Sequence, residues 1–207
     1  MAKGGKRTLV AGAVTLALAG AVARGIGAVY HIVAVRVAGP EALGLFQMAM
    51  PVYRLASGVA SLGFHVAAVR LIADSLGHRR PEEARAYARS AVMVAMISGP
   101  AAGLLLCFGA PRLVTFLFKD TRLTLPIICL GLLLVPATIS SILRGIVRGF
   151  GATPSLAGAN IVEAALRVPG ALAMLAVFLP FGMAPAAAAM VGGMIVGEVG
   201  SLAVLGL

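Results

Sequence analysis

The 207-residue chain is 60% hydrophobic and 12% charged, holds no tryptophan, and has a mean hydropathy of +1.03. A soluble domain is about 25% charged, so half that share excludes a water-facing shell and makes this an integral membrane protein. The formal charge of +10 does not point to nucleic acid: Lys and Arg fall in short segments between apolar runs, the positive-inside pattern, rather than in one basic patch.

Six spans are predicted, at about 8–35, 43–72, 90–108, 123–143, 154–178 and 186–207, giving an all-α polytopic lobe with both termini in the cytoplasm. Lys3, Lys6 and Arg7 precede an uncharged run from Thr8 to Ala23. Ala21-Val22-Ala23 has the form of a signal-peptidase site, yet the helical pattern continues past Arg24. An uncleaved first helix is therefore the preferred reading over a removed signal peptide. Gly20, Arg24, Gly27 and His31 share one face of it.

Gly39-Pro40 breaks the pattern and predicts an external turn over Arg36 to Glu41. On the second helix, Gln47, Pro51, Arg54, Gly58, Ser61 and His65 recur at spacings of 4, 3, 4, 3 and 4, a polar or small face. Pro51 should kink that helix where a freed carbonyl meets a cavity or a neighbour. Asp74 to Arg89 is the most charged segment, and Pro81-Glu82-Glu83 suits a helical first turn on the cytoplasmic side. Helix three follows, then an external connection over Arg112 to Arg122. Helix four carries Pro126 and Pro136, and Arg144 to Thr153 is expected to be a second cytoplasmic loop.

Helix five carries Asn160, Glu163, Arg167 and Gly170 on one face, with Glu163 correctly placed to pair with Arg167 four residues on. In helix six, Gly193 and Gly197 allow a neighbouring backbone to approach closely, and Glu198 lies beside them. Nine Lys/Arg fall in the segments assigned to the cytoplasm and four in the external ones, which sets the orientation.

Cys107 and Cys129 lie inside apolar runs and form neither a disulfide framework nor a metal motif. No Walker A, His-Glu-x-x-His or Gly-x-Ser-x-Gly pattern occurs, so no enzymatic activity and no cofactor are expected. The sharp signal is intramembrane arginine. A charge at bilayer depth costs ~2.5–3.5 kcal/mol even on insertion scales, and arginine cannot escape by losing its proton. Its planar fork suits phosphate oxygens. Arg24 and Arg54, with Gln47, His31 and His65, are the candidate lining of a cationic cavity. The alternative is that each arginine pairs with Glu163 or Glu198, or snorkels to an interface. Glu163, Arg167 and Glu198 are candidate structural or coupling groups.

Four segments carry a resemblance. Ala23-Arg24-Gly25-Ile26-Gly27 resembles the Ser-Arg-x-x-Gly of helix one in polysaccharide and lipid-linked oligosaccharide exporters of the multidrug/oligosaccharidyl-lipid/polysaccharide (MOP) superfamily. Gly39 to Met48, Leu143-Arg144-Gly145 to Gly149, and Asn160 to Val168 resemble its turn into helix two, its Leu-Arg-Gly loop and its helix-five motif. Arg148 stands where the family has glutamine. The most similar branch is the stage V sporulation protein B-like group, related to lipid II flippases of the MurJ type.

The resemblance implies one six-helix lobe of a MATE/MOP-type flippase. It implies alternating access carrying a lipid-linked glycan pyrophosphate, a precursor of cell wall, spore or capsule, across the cytoplasmic membrane, with Arg24 and Arg54 in the cavity. Family members have two such lobes and this chain has one. A homodimer or a separate second-lobe chain is therefore expected, against a truncated product without transport. A cation-coupled multidrug exporter lobe is the other alternative, and it would favour an acidic cavity.

Overall fold

A computed structural model of the chain describes residues 2–61 and 63–206, with few side chains described before Gly20. Every regular element among them is helical: α1 (Ala2–Ser61), α2 (Phe64–Gly77), α3 (Pro81–Leu113), α4 (Thr124–Gly149), α5 (Thr153–Phe178) and α6 (Met183–Gly206). A π-turn (Val114–Phe118) and a 3-10 turn (Thr121–Leu123) join α3 to α4, and a second 3-10 turn (Leu179–Phe181) joins α5 to α6.

Five apolar helical stretches, not the six predicted spans, are long enough to cross a membrane: Gly20–Gly77, Pro81–Phe118, Thr121–Gly149, Pro154–Phe181 and Met183–Gly206. The difference arises at residues 36–41, where the expected turn is a single non-helical residue, Gly39 (φ 80°, ψ 167°). Only glycine enters that region without strain, and Pro40 behind it restarts a helix at once. A straight helix would hold Gly27 and Arg54 about 40 Å apart, yet both line one cavity. The chain therefore folds back at Gly39 into two arms.

The second arm also ends earlier than predicted. Gly63 (φ 72°) interrupts it and α2 begins afresh at Phe64. In α3, Pro81 and Glu82-Glu83 do occupy the first turn, as their chemistry suggests.

α4 lies at the centre and touches α1, α2, α3, α5 and α6. Ile127, Leu130, Leu133, Leu134 and Ile142 are fully buried there. The larger apolar core joins this helix to the alanine-rich inner faces of both α1 arms (Ala34, Ala38, Ala42, Ala49) and to α6. A smaller one packs Ile72 of α2 and Ala91 of α3 against Ile142. Glycines set the closest approaches. A methyl on Gly103 would sit 2.6 Å from the Gly131 carbonyl oxygen, and one on Gly197 would sit 2.8 Å from the Glu163 carbonyl oxygen. Gly193, the other residue of the small-residue pair, lies directly on Ala171. Without a hydrophobic drive between helices in lipid, such contact is what holds them together.

Candidate functional site

A cavity of about 390 Å³ opens between the two α1 arms, α5 and α6. That volume falls within the range of small-molecule sites, about 300–1,000 Å³. The first arm contributes Ile26, Gly27, Tyr30 and His31, and the second contributes Phe46, Gln47, Met50, Pro51 and Arg54. Ala164, Arg167 and Val168 close it from α5, and Met194 from α6. Among the described residues, two arginines line it and no carboxylate does.

The helical register explains the second arm. Gln47, Pro51 and Arg54 sit at i, i+4 and i+7, so one face presents all three. Pro51 has no N–H, which leaves the Gln47 carbonyl without its helical donor on that same face. Arg54 makes no hydrogen bond or ion pair among the described residues. The Tyr30 hydroxyl is buried and likewise has no partner.

Two of the predicted cavity residues lie elsewhere. Arg24 is exposed and outside the lining, its guanidinium folded back over Gly20 rather than towards His31. His65 is removed by the break at Gly63, which ends the helical register counted from Gln47. Its backbone packs on Gly145 of α4, and its Nδ1 is buried without a partner.

Behind the cavity wall lies a second polar assembly, centred on Arg144. This residue is not in a loop: α4 continues to Gly149, and Ser140 lies one turn before Arg144 on the same face. Arg144 Nε donates to Ser140 Oγ at 3.1 Å, and Nη1 to Asn160 Oδ1 at 2.8 Å. Nη2 donates to Glu163 Oε2 at 2.6 Å and to Ser201 Oγ at 2.7 Å. Glu198 Oε2 stands 3.7 Å from the same nitrogen and has no hydrogen bond of its own.

The other Glu163 oxygen accepts from Arg167 Nη2. Close approach of α6 to α5 at Gly197 is what brings Glu198 and Ser201 within reach. Arg144 and Arg167 balance Glu163 and Glu198, so the assembly is neutral, and the uncompensated charge at the cavity is that of Arg54, with Arg167 shared between the two. Counting basic residues by loop assigned Arg144 to the cytoplasmic face. The signal that identifies it is its spacing of four from Ser140 at the end of an apolar run.

Among the described residues no group of three or more His, Cys, Asp or Glu is placed to hold a metal ion.

A family model described as polysaccharide biosynthesis protein matches residues 9–207. Stage V sporulation protein B of Bacillus subtilis (strain 168) is 28% identical over 197 residues, which span 95% of this chain and 38% of that protein. Among solved structures, an outward-facing multidrug resistance MATE family transporter of the MOP superfamily superposes with a TM-score of 0.75 at 19% identity. The match covers 92% of this chain and 44% of that one. A MOP superfamily transporter from Pyrococcus furiosus Vc1, described as having a binding pocket of reversed polarity, gives 0.74 at 21% identity, covering 92% and 43%. The chain thus spans less than half the length of each of these three proteins. This multi-pass membrane protein, with the fold of one MOP transporter lobe, belongs to the polysaccharide biosynthesis protein family.

Proposed function

We propose that the chain is one lobe of a flippase that moves a lipid-linked glycan precursor across the cytoplasmic membrane, with the cavity receiving its pyrophosphate. The observation that carries this reading is a cavity wall with two arginines and no carboxylate. A guanidinium presents several donors in a plane, whereas phosphate oxygens are acceptors only, so the match is one of hydrogen-bond type as well as charge. Arg54 is the principal contact, with Gln47 and His31 beside it, and Glu163, Arg167 and Glu198 support the wall. A cation-coupled drug exporter would need acidic groups where these arginines stand.

Alternating access requires a second lobe facing this cavity, supplied by a second copy or by another chain. The termini are cytoplasmic in this scheme, with Arg79 to Arg89 on the inner face. The test is a leaflet-accessibility assay in proteoliposomes carrying a fluorescent polyprenyl-pyrophosphate-linked sugar. Arg54→Ala should slow translocation by about tenfold or more, corresponding to one lost charge-assisted contact. Flipping at the unaltered rate in Arg54→Ala would defeat the proposal.

A further inference from the structure

We infer that Arg167 is a second anion contact in this cavity, held at the wall by Glu163, which Arg144 anchors in turn; the inference rests on the anionic-headgroup reading above. Ala164, Arg167 and Val168 lie at i, i+3 and i+4 on α5, and all three line the cavity. Glu163, one position away, turns instead to Arg144 of α4. The helix therefore shows a guanidinium to the cavity and keeps its carboxylate behind it.

The donors are divided unequally. Arg144 uses Nε, Nη1 and Nη2 on protein acceptors. Arg167 commits only Nη2, to Glu163, and one-third of its side chain stays open. Its Nε is buried and has no acceptor. A buried donor left unmade carries a standing cost. A phosphate oxygen entering the cavity would relieve it after a small rotation of the fork.

Glu163 does not need Arg167 to stay paired, because Arg144 already holds its other oxygen. Arg167 can thus turn towards a ligand without stranding a carboxylate. The nearby Tyr30 hydroxyl, in a side chain only 6% exposed, is a second unpartnered group in the same lining. Arg54 and Arg167 reach the same cavity from different helices, so an anionic headgroup there can meet both.

The test is calorimetric titration of the full chain in lipid nanodiscs with farnesyl pyrophosphate, and with farnesol as the uncharged control. Three variants decide it: Arg54→Gln, the double variant Glu163→Gln/Arg167→Gln, and Arg167→Lys. The double variant removes one charge of each sign, so it conserves net charge and leaves no lone carboxylate. Saturable binding of the pyrophosphate but not of farnesol, weakened about tenfold or more both by Arg54→Gln and by the double variant, is the expected result.

Arg54→Gln weakened with the double variant within twofold of the parent would overturn the role of Arg167 and leave the cavity reading standing. No saturable binding by the parent would overturn both. Where the double variant does not fold, Arg167→Lys decides. It keeps the pair with Glu163 and loses the planar fork, so weaker binding supports the inference and parental affinity sinks it.

Discussion

Arg144 gathers acceptors from three helices: Ser140 on its own, Asn160 and Glu163 on α5, and Ser201 on α6. Its removal would leave Glu163 with one partner and Glu198 with none. Breaking a mostly buried pair in this way destabilises by about 3–5 kcal/mol. Arg144→Ala is therefore expected to lower the thermal unfolding midpoint in detergent sharply, and Arg144→Lys to recover only part of it. Unchanged melting of Arg144→Ala would mean that water replaces the guanidinium. Pattern reading found Gln47, Arg54 and His31 on the cavity, because a helical face is legible from spacing alone. It missed Arg144 because a basic residue at the end of an apolar run reads as a loop charge when only hydropathy is counted. It put Arg24 in the cavity by periodicity, which states the face of a helix but not where the cavity ends along it.

At the level of helices, the pairings rest on small residues. Gly193 and Gly197 signalled a close neighbour in the sequence, and that neighbour is α5, through Ala171 and the Glu163 carbonyl. Gly103 and Gly131 do the same between α3 and α4, where Gly99 and Gly103 repeat the four-residue spacing and Gly99 packs on Thr138, a pair the sequence reading passed over. Filling such contacts costs about 1–3 kcal/mol or more when backbone is the obstacle. Gly197→Leu should push α6 from α5 and detach Glu198 and Ser201 from Arg144. It should then lower the melting midpoint to about the same extent as Arg144→Ala and add little to it in the double variant; additive losses would show that the two contacts are independent. The elbow at Gly39 and the break at Gly63 were only half legible. Gly-Pro announced a reversal, but hydropathy cannot tell a loop from a one-residue bend, and Gly63 lies between Ser61 and His65, where the helical spacing of the polar face runs on without a break. Both glycines have positive φ, so Gly39→Ala introduces about 1–2 kcal/mol of backbone strain at the elbow.

For the molecule as a whole, the fold class and membrane character followed from composition, while the helix count did not. A cavity bounded by α1, α5 and α6 leaves Met48 and Leu55 of the second arm exposed, Leu55 at 74%. These apolar residues flank the polar face of Gln47 and Arg54, which suits a boundary with a second lobe. With Cys107 and Cys129 replaced by serine, Leu55→Cys should form a cross-linked product in native membranes, at twice the mass for a second copy and at another mass for a different chain. Uncross-linked monomer alone would argue against a facing lobe at this surface.

The central place of α4 bears on how the protein is made. Translation proceeds from the amino terminus, so both arms of α1, with α2 and α3, leave the translocon before the helix against which their inner faces pack has been synthesised. Until Thr124–Gly149 emerges, the alanine faces can rest against acyl chains at little penalty, because lipid is as apolar as leucine. Arg54 has no such refuge. A ribosome-stalled product ending before residue 124 should accordingly be recognised by membrane quality-control proteases, whereas one extended beyond Ser201 should escape them.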